Sequence, residues 1–117
     1  MKIEAAKRAR FLNDRLRTTL NPIFGTITLS EGVKRLDPRT QAAVMLAIMD
    51  YEFPHLPDYP WFVDMHERGV VELDGEHYYF GVWCRDPVTG LEAEDPSSTA
   101  AERRLHIMCA ADVEQEA

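Results

Sequence analysis

Val70-Val71-Glu72-Leu73-Asp74-Gly75-Glu76-His77-Tyr78-Tyr79-Phe80-Gly81-Val82-Trp83-Cys84 is the stretch on which the fold turns. Asp-Gly supplies the left-handed backbone that a two-residue type I′ turn requires. Apolar residues alternate on both sides of it, the period of a half-buried strand. A two-residue loop sets Leu73 against Glu76 and Val71 against Tyr78. Val71, Leu73, Tyr78, Phe80, Val82 and Cys84 then share one face, the expected core face. Val70, Glu72, His77, Tyr79 and Trp83 fall on the other.

Upstream, residues 3–20 read as an amphipathic helix, with Ala5, Ala9, Leu12, Leu16 and Leu20 at helical spacing. Asn21-Pro22 ends it. Ile23 to Leu29 alternates as a strand, and Ser30 opens a helical turn through Leu36. Asp37-Pro38 is an N-cap followed by proline at the first helical position, so a helix runs from there to about Tyr51. Residues 51–63 follow as a loop of prolines and aromatics, with Pro54, Pro57 and Pro60 at the polyproline II period. Downstream, Asp86-Pro87-Val88-Thr89-Gly90 turns the chain. Asp95-Pro96, and the capping-box spacing of Thr99 and Glu102, predict a last helix to about Val113. The expected class is α+β: a small antiparallel sheet with a β-hairpin, and helices packed on one face. Residues 1–113 form the single domain, and 114–117 an acidic frayed tail.

The chain has 117 residues, 45% of them hydrophobic and 28% charged, which fits a globular domain with one core. Its longest apolar run, Ala42 to Met49, falls far short of the ~20 residues of a membrane span. The basic start lacks an apolar region behind it, so no signal peptide is read. Two cysteines, Cys84 and Cys109, make no disulfide framework, and a reducing cytoplasm is expected. The net charge of -7 is unevenly placed. Residues 1–20 carry six basic and two acidic side chains; residues 64–117 carry four and thirteen. The basic first helix is therefore expected to dock on the acidic C-terminal half. Such a domain repels phosphate, so direct binding of nucleic acid is not expected.

The motifs of chemistry are missing. His55, His66, His77, His106, Cys84 and Cys109 show no paired zinc spacing, and His66-Glu67 fails as a zincin helix because Val70 stands where the second histidine belongs. There is no nucleophile elbow and no phosphate-cradling glycine loop. Asp64, His66 and Glu67 suit acid–base work in a cleft, but a loop capping its own backbone explains them more simply. No catalytic residue, metal site or cofactor is expected. The acidic half stands out instead. Glu72, Asp74 and Glu76 crowd the hairpin tip, and Glu92, Glu94 and Asp95 follow the next turn. Rows of carboxylates imitate a phosphate backbone, or they keep a face solvated. Tyr59 and Trp61, beside prolines, would add an apolar anchor.

Four stretches together resemble an uncharacterised family of small bacterial proteins, domain of unknown function 3768. They are Leu12-Asn13-Asp14-Arg15-Leu16-Arg17-Thr18-Thr19, then Gly25 to Val33, then His66-Glu67-Arg68-Gly69 with Asp74-Gly75-Glu76 behind it, and Glu94-Asp95-Pro96 through Arg103 to Met108. The family hairpin carries a Lys and an Asp where this chain has Gly81 and Trp83. The resemblance implies no established activity. It implies a plasmid or phage association, and so a role in conflict between mobile elements and host defence. The expected function is a small, acidic, non-enzymatic interaction protein. Its partner is a basic surface on a nucleic-acid machine, of CRISPR or restriction type, met through Glu72, Asp74, Glu76, Glu92, Glu94, Asp95, Tyr59 and Trp61. The alternatives are a small enzyme using the His66 region, and an accessory subunit or homodimer.

Overall fold

The hairpin forms as its turn chemistry requires. In the computed structural model, which describes residues 3–54 and 64–116, the order is α1 (Ile3–Thr19), β1 (Thr26–Leu29), α2 (Glu31–Lys34), α3 (Pro38–Met49), β2 (Arg68–Leu73), β3 (Glu76–Arg85), β4 (Glu102–Cys109) and α4 (Ala110–Glu116). Asp74 and Gly75 take φ values of 52° and 81°, the left-handed pair of a type I′ turn. Val71 stands opposite Tyr78 and Leu73 opposite Glu76, the expected register.

The class is α+β, but the sheet is mixed rather than antiparallel. Its order is β1-β4-β3-β2, and β1 runs parallel to β4 with Ile27 beside Leu105 and Leu29 beside Ile107. The parallel pair exists because β4 occupies the segment expected to be helical. Asp95 does not cap a helix: its carboxylate accepts from the Ser97 N–H at 3.0 Å and the Ser97 hydroxyl at 2.5 Å, closing a local turn. Glu102 to Cys109 then alternates as a strand, with Arg103, Leu105 and Ile107 buried. Only Ala110 onward is helical, so the segment 114–117, expected as a tail, is helical as far as Glu116. The first strand is also shorter than expected: Ile23 is exposed and pairing begins at Thr26.

One face of the sheet carries the core. Val71, Tyr78, Phe80, Val82, Leu105 and Ile107 pack against Leu16 of α1, Val33 of α2, and Val44 and Ile48 of α3. Each fully buried aliphatic side chain contributes about 1.5–3 kcal/mol. Asp37 caps α3 as expected, accepting from the Thr40 N–H at 3.0 Å.

The buried stripe of α1 is rotated from the expected one and is partly polar. It comprises Ala6, Ala9, Leu12, Asn13, Leu16 and Arg17, whereas Ala5 and Leu20 are half-buried. The polar members explain the shift. Arg17 Nη1 donates to the carbonyls of Ile48, Met49 and Tyr51 at 2.8, 3.2 and 3.2 Å, at the end of α3, where the Tyr51 N–H also donates to the Ile48 carbonyl at 3.3 Å. Asn13 Nδ2 donates to the Met65 carbonyl at 3.0 Å, and Asn13 Oδ1 accepts from Arg103 Nε at 2.9 Å. The basic helix thus reaches the C-terminal half through a buried amide. The Asp95 carboxyl is held below the ordinary value by the Ser97 hydroxyl and N–H, with a smaller pull from Arg8.

Candidate functional site

The sheet face opposite the core is uncovered by helices α1 to α3. Val70, Tyr79 and Trp83 are 40%, 36% and 45% exposed there. The alternation that sends Val71, Tyr78, Phe80 and Val82 inward sends these three outward. Gly81 gives Trp83 its place. A Cβ at Gly81 would meet the indole ring at 2.5 Å, so the ring lies over the bare backbone of the strand. Arg104 of the neighbouring strand sits 5.8 Å from that ring, and the His106 ring packs edge-on at 6.3 Å. An apolar depression of about 420 Å³ beside the indole is lined by Val70, Tyr79, Gly81, Trp83 and Met108, among others.

The six candidate carboxylates are all on exposed residues, and they fall into two groups. Glu72, Asp74 and Glu76 surround the hairpin tip, where β3 begins. Glu92, Glu94 and Asp95 follow its other end, where an isolated bridge joins Arg85 to Glu92 and the Ala93 N–H donates to the Cys84 carbonyl at 3.0 Å. At about 3.4 Å per residue, the strand between them spans roughly 30 Å. Asp86 builds the turn that positions the second group, accepting from the Val88 N–H at 2.8 Å. Two of the carboxylates have local partners: Glu72 lies 3.6 Å from His77 Nε2, and Asp95 holds Ser97. Tyr59 and Trp61 lie outside the described residues.

The His66 region gathers residues the sequence did not connect. His66 Nδ1 lies 3.0 Å from both carboxylate oxygens of Asp14 on α1. Phe53 stacks on the imidazole at 4.0 Å with the planes 4° apart, and the Arg17 guanidinium lies 5.0 Å from the Phe53 ring. Asp64 accepts from the His66 backbone N–H at 2.9 Å, which helps hold His66 in the left-handed region at φ 56°. Asp64 therefore serves its own loop, and the Glu67 carbonyl accepts from Val82 in the ladder. Asp14, Arg17 and Phe53 carried no local motif that would have marked them as partners of a histidine far along the chain.

Of the remaining nucleophile and ligand candidates, His55 lies outside the described residues, and His106 Nδ1 lies 2.6 Å from the Thr28 hydroxyl. Burial pushes the Cys84 thiol upward, away from the thiolate. Among the described residues no three His, Cys, Asp or Glu side chains converge in a way that could hold a metal ion. No described helix is long and apolar enough to cross a membrane. Comparison with protein families, with curated proteins and with solved structures gives no match.

Proposed function

We propose that this chain is a small acidic interaction protein of mobile-element origin, resembling domain of unknown function 3768. It acts in the cytoplasm by occupying a basic surface of a host nucleic-acid machine of CRISPR or restriction type, inhibiting or modulating it without chemistry of its own. The observation that carries the reading is the placement of the carboxylates: two exposed acidic groups held by a single strand, roughly 30 Å apart. That span is close to one turn of duplex, about 34–36 Å. A groove lined by Lys and Arg to accept phosphates meets carboxylates at a comparable reach, and the -7 charge speeds the encounter. The exposed Tyr79 and Trp83 supply the apolar contact that charge alone does not.

The test is affinity capture from the native host, followed by binding kinetics across a salt series. Association should slow as salt rises. The Glu92→Lys/Glu94→Lys variant should associate more slowly while melting at the unaltered temperature. Salt-independent association by both proteins would mean the carboxylates only solvate the surface.

The Asp14–His66 pair supports a second reading, a small acid–base enzyme, because a carboxylate on Nδ1 orients an imidazole for proton transfer at Nε2. In that case His66→Gln would abolish the biological effect while partner affinity stayed intact.

A further inference from the structure

The free edge of β2 matches itself. Among the described residues the sheet order ends at β2, which pairs with β3 on one side only. A two-residue hairpin closes on a hydrogen-bonded pair, here Leu73 and Glu76, and such pairs recur at every second residue. The Val82 N–H donating to the Glu67 carbonyl at 2.7 Å continues that alternation beyond the strand. The backbone N–H and C=O groups of Arg68, Val70 and Glu72 therefore point away from β3. Among the described residues nothing pairs with them. The side chains of the same three residues stand exposed on the open face of the sheet. Edge strands in soluble proteins are commonly blunted by proline, by a bulge or by like charges. This one has none of these: it reads Arg-Gly-Val-Val-Glu-Leu, is paired without interruption, and carries one charge of each sign.

Those two charges sit symmetrically about Val70, and symmetry selects the partner. We infer that β2 pairs antiparallel with β2 of a second copy, about a two-fold axis at Val70, giving a dimer with one continuous sheet. In that register Val70 meets its counterpart, Arg68 meets Glu72 of the other copy, and Glu72 meets Arg68. Each of these pairs is of the hydrogen-bonded kind, so all the outward backbone groups of the three residues are satisfied together. Both charge pairs are attractive cross-strand pairs. On the core face, Gly69 falls opposite Val71 of the other copy, a small residue against a branched one. An interface in which residue i meets j and j meets i is the isologous arrangement of a two-fold dimer. The net charge of -7 opposes self-association, and salt screens that repulsion, so the dimer should tighten as ionic strength rises to physiological values.

The experiment is sedimentation equilibrium of the whole chain over a concentration series, with charge-swapped variants. The unaltered protein should dimerise. Arg68→Glu and Glu72→Arg each place like charges across both halves of the seam, and each should raise the dissociation constant at least tenfold. The double swap Arg68→Glu/Glu72→Arg restores opposite charges and should restore the dimer. Because both residues are exposed, all three variants should melt as the unaltered monomer does. Amide exchange of Val70 should slow on dimerisation. A protein monomeric at every concentration would overturn the inference. So would a dimer indifferent to the single swaps, or one broken by Trp83→Asp and not by them, which would place the contact on the aromatic face.

Discussion

Asn13 and Arg103, ninety residues apart in the chain, are joined in the interior by a hydrogen bond of 2.9 Å from Arg103 Nε to Asn13 Oδ1. Arg103 is 6% exposed, and burial draws its pKa below the ordinary arginine value. Its Nη2 donates to the Pro96 carbonyl. The pair fixes α1 to β4, and the amide's other end holds the Met65 carbonyl. Asn13→Ala leaves both the Arg103 Nε–H and the Met65 carbonyl short of a partner. A loss of about 1–3 kcal/mol is expected, read from urea denaturation. Asn13→Asp offers a charged acceptor to Arg103 but no donor to Met65. It should lose less, which separates the two bonds.

Arg17 is the second buried cation, and its task differs. One nitrogen serves three carbonyls at the end of α3. Arg17→Met keeps the apolar stem and removes the donors. A loss of about 3 kcal/mol is expected. Lys at this position should not recover it, since a compact ammonium lacks the reach and planar fork of a guanidinium. The amide-exchange protection of the last turn of α3 should fall in both variants, while that of β3 responds only to the global loss.

How much of this was legible follows from where each residue's partner lies. The hairpin and the start of α3 were readable because Asp74-Gly75 and Asp37-Pro38 act on their immediate neighbours. The strand β4 was not, because its inward position Arg103 is tolerated only through Asn13 and Pro96, and no local pattern announces that. With Glu102 to Cys109 read as helical, neither the sheet order nor the edge position of β2 follows from the sequence. The candidate carboxylates were legible as exposed residues. Their separation was not, because it requires seeing that the hairpin tip and the later turn lie at opposite ends of β3. The Asp14–His66 pair joins two elements with no shared periodicity, so only the fold reveals it.

Asp112 links α4 back to α2. Its carboxylate accepts from the Gly32 N–H at 2.7 Å and from the Cys109 thiol at 3.3 Å. The neighbouring Ser30 hydroxyl, the Gly32 N–H and the Cys109 thiol hold its pKa below the ordinary carboxylate value. A carboxyl depressed on folding contributes stability above its unfolded pKa, and that contribution is lost as pH falls through the folded value. Acidification below about 4 should therefore loosen α4 from α2. The measurement is hydrogen exchange at the Gly32 amide, which should lose protection on the acid side. Asp112→Ala should show the unprotected amide already at neutral pH. Continued protection of Gly32 in that variant would mean the carboxylate is not what holds the helix.

Gly69 and Gly81 face each other's strands across the hairpin, two residues in adjacent rows, and an added methyl group meets aromatic rings at both. The outcomes should nonetheless differ. At Gly69 the Cβ would come within 2.7 Å of Phe80 and 3.0 Å of Tyr51. Phe80 is 2% exposed and lies edge-on to both Tyr51 and Phe53, so its ring has nowhere to go. Gly69→Ala is an overpacking substitution and should cost about 1–3 kcal/mol. At Gly81 the atoms nearest the Cβ all belong to the Trp83 indole, which is 45% exposed and can swing toward solvent. Gly81→Ala should cost less than about 1 kcal/mol in stability, the loss of one cation–π and edge contact. It should redshift the Trp83 emission, measured in a Trp61→Phe background so that a single indole reports. A Gly81→Ala protein with unchanged emission would show that the indole does not rest on the strand, and the aromatic platform of the open face would then lack its central member.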